Sequence, residues 1–184
     1  MGAGVVPMQF VADGIETDVV EINGASIPMA EEFFDFDTSK VNLTVGDGRQ
    51  FLNQTDRTYD AILLDAFLGD SSPSHLMTHE AFVEMRAHLS DHGTLVINSF
   101  GESNPERQFF SSSLNKTLCS VFGPERVIVH ASGYGNVFFV ATKAPQIKVH
   151  RSPEPDPYAG KRLREAKSER DAYAVWNEWY AVAK

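Results

Sequence analysis

At 184 residues with 42% hydrophobic side chains, the chain suits one folded domain and is too apolar to be disordered. A net charge of -9 disfavours nonspecific binding to nucleic acid or to an anionic membrane surface. Cys119 is the single cysteine, so no intrachain disulfide can form, and neither a secretory leader nor an apolar run of membrane-spanning length is evident. Together these features predict a cytoplasmic protein that partners with neither nucleic acid nor membrane.

In chain order, residues 5–13 carry helical spacing, with Gly14 as the stop. Thr17 to Ile22 is a β-branched strand. Ser26 to Phe34 reads as a helix, with Ser26 as N-cap and Pro28 in the first turn. A strand at Val41–Val45, a short helix at Arg49–Asn53 and a strand at Tyr59–Leu64 follow. Thr78 to Leu89 is an amphipathic helix capped by Thr78, with Phe82, Met85 and Leu89 on one face. Gly93–Ser99 is a strand, and Pro105 to Phe122 a helix with Phe109, Leu114, Leu118 and Val121 pointing inward. Cys119 lies on that helix and reads as an inert core thiol. Arg126–His130 and Val137–Thr142 are strands too closely linked for a crossover helix, hence an antiparallel pair around the turn containing Tyr134. The alternation predicts an α/β fold with a mostly parallel sheet and an antiparallel last strand. Residues 1–145 form the domain. Residues 146–184 are a Pro-rich linker (Pro153, Pro155, Pro157) and a peripheral helix with Trp176 and Trp179, which packs on the domain or on a partner.

The chemistry concentrates at strand ends, where open α/β sheets bind ligands. Gly2 and Gly4 precede the first helix and allow close backbone approach to a ligand, although a lone Gly-x-Gly is equally a frayed terminus. Glu21 ends the first strand and suits both hydroxyls of a ribose; a solvated strand end is the plain alternative. Asp47, followed by Gly48, suits an adenine edge or an ordinary Asp-Gly turn. Asp65 ends the third strand, where a carboxylate could take a proton from an amine or cap a turn. Acids at three successive strand ends would repel phosphates and suit a ribose joined to a sulfonium. That favours S-adenosylmethionine or a relative over NAD or ATP. His75 and His79 have the spacing of a metal pair, but no third ligand is evident and no metal is expected. Ser71, Ser72 and Ser74 lack the Gly-x-Ser-x-Gly setting of a hydrolase.

The runs Val19–Asn23, Gly46–Leu52, Tyr59–Asp65, His75–Phe82, Gly93–Asn98 and Gly135–Val137 resemble the spermidine synthase family over roughly residues 2–145. The resemblance implies a Rossmann-like, class I methyltransferase-like fold. It implies decarboxylated S-adenosylmethionine as aminopropyl donor and a polyamine such as putrescine as acceptor. Carried over by position, Gly2 and Gly4 belong to the glycine loop. Glu21, with Ile22 beside it, holds the nucleoside through its ribose; Asp47 and Gly48 face the adenine; Asp65 helps to deprotonate the attacking amine. Asp70 and His75 join Asp65 as substrate-binding candidates. The match departs at Asp65-Ala66-Phe67-Leu68-Gly69-Asp70, where the family typically reads Asp-Ser-Ser-Asp-Pro. It also departs at the start: the usual first strand and small N-terminal β domain have no counterpart, so an interrupted sheet with unpaired backbone is expected. An S-adenosylmethionine-dependent methyltransferase and a noncatalytic nucleoside-binding remnant are the alternatives. A homodimer is compatible with the sequence.

Overall fold

The computed structural model describes residues 1–67, 73–100, 109–131 and 136–147. The helix expected in the C-terminal tail, the Tyr134 turn, and Asp70, Ser71 and Ser72 lie outside the described residues. The chain divides into two units, Met1–Arg57 and one beginning at Thr58.

In the first unit, α1 (Val5–Ala12) leads to β1 (Asp18–Glu21), α2 (Ser26–Phe34), β2 (Asn42–Val45) and α3 (Gly48–Gln54). β1 and β2 pair in parallel, with Asp18 opposite Asn42 and Glu21 opposite Val45. The ladder is extended by Asn42 N–H donating to the Thr17 carbonyl and Gly46 N–H donating to the Glu21 carbonyl, both at 3.0 Å. Asp18 is held from two sides: Asn42 Nδ2 donates to it at 2.8 Å and Arg57 Nη1 at 2.8 and 3.0 Å, while Arg57 also pairs with Glu16. Val19, Ala30, Phe36 and Leu52 are buried, whereas Val5, Met29 and Phe33 remain exposed. Ser26 is not the N-cap. It is the first residue of α2, and its hydroxyl donates to the Asn23 carbonyl at 2.7 Å, so Asn23 organises the turn instead.

The second unit runs β3 (Tyr59–Leu64), α4 (His79–Ala87), β4 (Leu89–Phe100), α5 (Phe109–Phe122), β5 (Val127–Ala131) and β6 (Asn136–Thr142). Its sheet has the order β3-β4-β6-β5. β3 is parallel to β4, and β6 is antiparallel to both β4 and β5. Three strands therefore share one direction and the last runs against them, as the short link between β5 and β6 requires. Alternation decides what is buried: Leu95, Ile97 and Ser99 on β4 and Val137, Phe139 and Ala141 on β6 point to one side. α4 supplies Ala81, Phe82 and Met85 to the core, and α5 supplies Leu114, Leu118 and Phe122.

Two expectations about helix faces need correction. Leu89 is buried as expected but begins β4, opposite Tyr59, because α4 ends at Ala87. Phe109 is 86% exposed, since it opens α5 beyond the turn that contacts the core; Phe122 takes the inward role instead. Cys119 is only half-buried rather than a core residue, and desolvation raises its thiol pKa, which disfavours the thiolate. Among the described residues the strands form two hydrogen-bonded sheets, β1-β2 and β3-β4-β6-β5. No described helix is long and apolar enough to cross a membrane.

Candidate functional site

The parallel register of the first unit brings two acids to one sheet edge. β1 ends at Glu21 and β2 at Val45 directly opposite, so Glu21 and the turn bearing Asp47 share the carboxyl end of the two-stranded sheet. Glu21 also gathers the glycine segment. Its Oε2 pairs with the Met1 ammonium at 3.0 Å, and its Oε1 accepts from the Asn23 amide at 2.9 Å. Burial pushes its pKa up, but the Asn23 amide, the Met1 ammonium and the Gly2 amide outweigh burial and hold it below the ordinary glutamate value. Glu21 is thus tied to the glycine segment rather than left wholly to solvent. Ile22, beside it, is 62% exposed at the same edge.

A carboxyl group with a lowered folded-state pKa contributes its stability fully above its unfolded value and loses it as pH falls through the folded value. Glu21→Gln is therefore expected to lower the melting temperature at about pH 7 and to lower it less at about pH 3, because the stability held by the charged contacts is progressively lost as pH falls below the unfolded value towards the folded one. Thermal unfolding by circular dichroism at both pH values checks this. An equal loss at both would remove the charged contacts as the cause.

Gly2 and Gly4 both have positive φ, 58° and 76°. Only at Gly4 is space also short: a Cβ there would lie 2.7 Å from Phe36 Cγ, and Phe36 is buried. Gly4→Ala combines a left-handed backbone with a collision and is expected to cost about 2 kcal/mol or more, whereas Gly2→Ala pays only the backbone strain of about 1–2 kcal/mol. Urea unfolding of the two variants measures the difference; equal losses would contradict the Phe36 contact.

Asp47 is the N-cap of α3, with its Oδ1 accepting from the Gln50 amide at 3.0 Å. Gly48 begins that helix, and a Cβ there would meet nothing within 4 Å, so packing does not demand glycine at this position.

In the second unit, Asp65 follows the last residue of β3. Leu64 pairs with Ile97, so the next step along the two parallel strands sets Asp65 beside Asn98. Asn98 Nδ2 donates to Asp65 Oδ1 at 2.9 Å. Asp65 is exposed and caps no helix among the described residues. Ala66 and Phe67 follow it half-buried, giving the turn an apolar wall. His75 lies exposed in the single 3-10 turn Ser74–Leu76, and His79 opens α4. Among the described residues no three His, Cys, Asp or Glu side chains gather as metal ligands. Sequence reasoning missed Asn98. The available signal was a lone amide near the end of an otherwise apolar strand.

A family model described as "Spermine/spermidine synthase domain" matches residues 9–150. A polyamine aminopropyltransferase from Vibrio vulnificus is 38% identical over 109 residues, covering 56% of this chain and 36% of that protein. An N-terminal histidine N-methyltransferase from Emericella nidulans is 27% identical over 177 residues, covering 89% of this chain and 31% of the relative. The chain thus spans about a third of the length of these two proteins. Among solved structures, a probable spermidine synthase from Corynebacterium glutamicum matches with a TM-score of 0.68 at 23% identity, over 88% of this chain and 59% of the other. A spermidine synthase in complex with the transition-state analogue AdoDATO matches with a TM-score of 0.63 at 17% identity, over 77% of this chain and 52% of the other.

Proposed function

The chain belongs to the spermine/spermidine synthase domain family, and from that membership we propose that it moves an aminopropyl group from decarboxylated S-adenosylmethionine to a polyamine such as putrescine. The observation that carries the reading is the exposed carboxylate of Asp65 at the end of β3, held by the Asn98 amide rather than consumed by a helix cap. An amine is mostly protonated at neutral pH and has no lone pair to attack with. Asp65 first binds the ammonium and then accepts its proton. The freed nitrogen attacks the carbon next to sulfur; a C–N bond forms, the C–S bond breaks, and its electron pair neutralises the sulfonium. The products are the extended polyamine and methylthioadenosine. No metal is required by this chemistry.

In this reading Glu21 takes the ribose hydroxyls of the nucleoside, with Ile22 beside it, and the Gly2–Gly4 segment lines the same strand end. Asp47 and Gly48 face the adenine. Asp70 and His75 are assigned to the amine. The Met1 ammonium and the backbone amides now on Glu21 are contacts that a bound diol would share or displace.

A second reading, methyl transfer from intact S-adenosylmethionine, is favoured by the Emericella nidulans N-methyltransferase, whose similarity extends over most of this chain. The two donors differ in a carboxylate that only the intact one carries. Calorimetric titration with the decarboxylated donor, the intact donor and methylthioadenosine separates the readings. Preference for the decarboxylated donor supports aminopropyl transfer. Preference for the intact donor supports methyl transfer and sinks the first reading.

A further inference from the structure

We propose that Asn98 is a positioning residue for Asp65, fixing the carboxylate in the orientation from which it takes the amine proton; the inference rests on the aminopropyl-transfer reading above. Two observations carry it. The first is the Nδ2 to Oδ1 hydrogen bond of 2.9 Å between side chains at the ends of adjacent parallel strands. The second is the other end of the same amide: Asn98 Oδ1 is buried, with no hydrogen-bond partner among the described residues. A buried carbonyl left in that state is destabilising. An apolar residue of the same shape would avoid that penalty, so what the amide adds is its bond to Asp65. The arrangement also fixes which way the amide faces. Turning it over would set its oxygen against the Asp65 carboxylate, acceptor against acceptor, so only the donor end can meet Asp65.

The effect on Asp65 is geometric. An exposed carboxylate on a strand end turns freely about its side-chain bonds, and each orientation that faces away from the amine is unproductive. One bond from a neighbouring strand, whose own backbone is locked in a seven-pair ladder with β6, removes most of that freedom. The bond engages only one oxygen, Oδ1. The second is left to the ammonium.

The test compares Asn98→Ala, Asn98→Leu and Asn98→Asp with the parent chain, following kcat, KM for putrescine and nucleoside affinity. Asn98→Ala and Asn98→Leu are expected to lower kcat about tenfold or more, while nucleoside affinity and melting temperature stay close to those of the parent. Asn98→Asp puts a like charge beside Asp65 and is expected to move the acid limb of the kcat profile to higher pH. Unchanged kcat in Asn98→Ala and Asn98→Leu, with an unmoved profile in Asn98→Asp, would overturn the positioning role. Asp65→Asn measured alongside keeps the two claims apart. If it is inactive while the Asn98 variants are normal, only the positioning role fails; if it is fully active, the function of Asp65 fails first.

Discussion

Asp65→Asn is expected to lower aminopropyl turnover by about 10²–10⁴-fold while leaving nucleoside affinity within a few-fold of the parent. The substitution keeps size and polarity, so the local structure has little reason to change. What it removes is a group that can carry the proton. An amide cannot accept a proton from an ammonium at neutral pH, and it also forfeits the attraction that draws the cation to the strand end. The Asn98 amide would then face either an oxygen or a second amino group, and only the former preserves the existing bond. Steady-state kinetics with putrescine, paired with calorimetry of the donor, reads both quantities. A variant with full turnover would strip Asp65 of its role. One that had lost nucleoside affinity to the same degree as turnover would mark it as a binding residue.

The second large effect concerns stability. Phe82→Ala is expected to destabilise the second unit by about 3–5 kcal/mol. Phe82 is completely buried on α4, in a core that includes Met85, Leu89, Leu95, Ile97 and Leu118. Truncation loses the transfer of a whole ring from water and leaves a cavity that rigid β4 and β6 cannot close. Denaturant unfolding of parent and variant measures the loss. A cost under about 1 kcal/mol would mean that the core repacks freely and that Phe82 is not part of a well-filled interior. Val83, the next residue along the helix, is 46% exposed, so Val83→Ala serves as a matched control with little expected effect.

The sequence was most readable where one physical rule acted alone. Tyr59–Leu64 is an apolar run bounded by polar turns, and the observed β3 has the same limits. Ser26–Phe34 likewise matches α2 from end to end. The antiparallel pairing of β5 with β6 followed from a link too short for a crossover. Reading failed where two rules competed. Leu89 continues the apolar face of α4 and also starts an extended run, and pairing with Tyr59 settles it in β4. Ser26 has the chemistry of an N-cap, yet Asn23 three residues earlier organises the turn and takes the Ser26 hydroxyl on its own carbonyl. At the strand ends, the position of Glu21 and Asp65 could be read from pattern, because each directly ends an apolar run. Their partners could not. The bond between Asp65 and Asn98 joins residues 33 apart in sequence, and only the register of β3 against β4 brings them together. The use of Asp47 as the cap of α3 was visible as an Asp-Gly turn but not as a helix start, since Gly48 is a poor helix former.

The most direct test of the central claim is product analysis by mass spectrometry. The chain would be supplied with decarboxylated S-adenosylmethionine and putrescine, and separately with intact S-adenosylmethionine and the same amine. Aminopropyl transfer predicts methylthioadenosine and spermidine in equal amounts from the first mixture, and no products from the second. Methylated amine and S-adenosylhomocysteine from the second mixture, with the decarboxylated donor left unconsumed in the first, would contradict it.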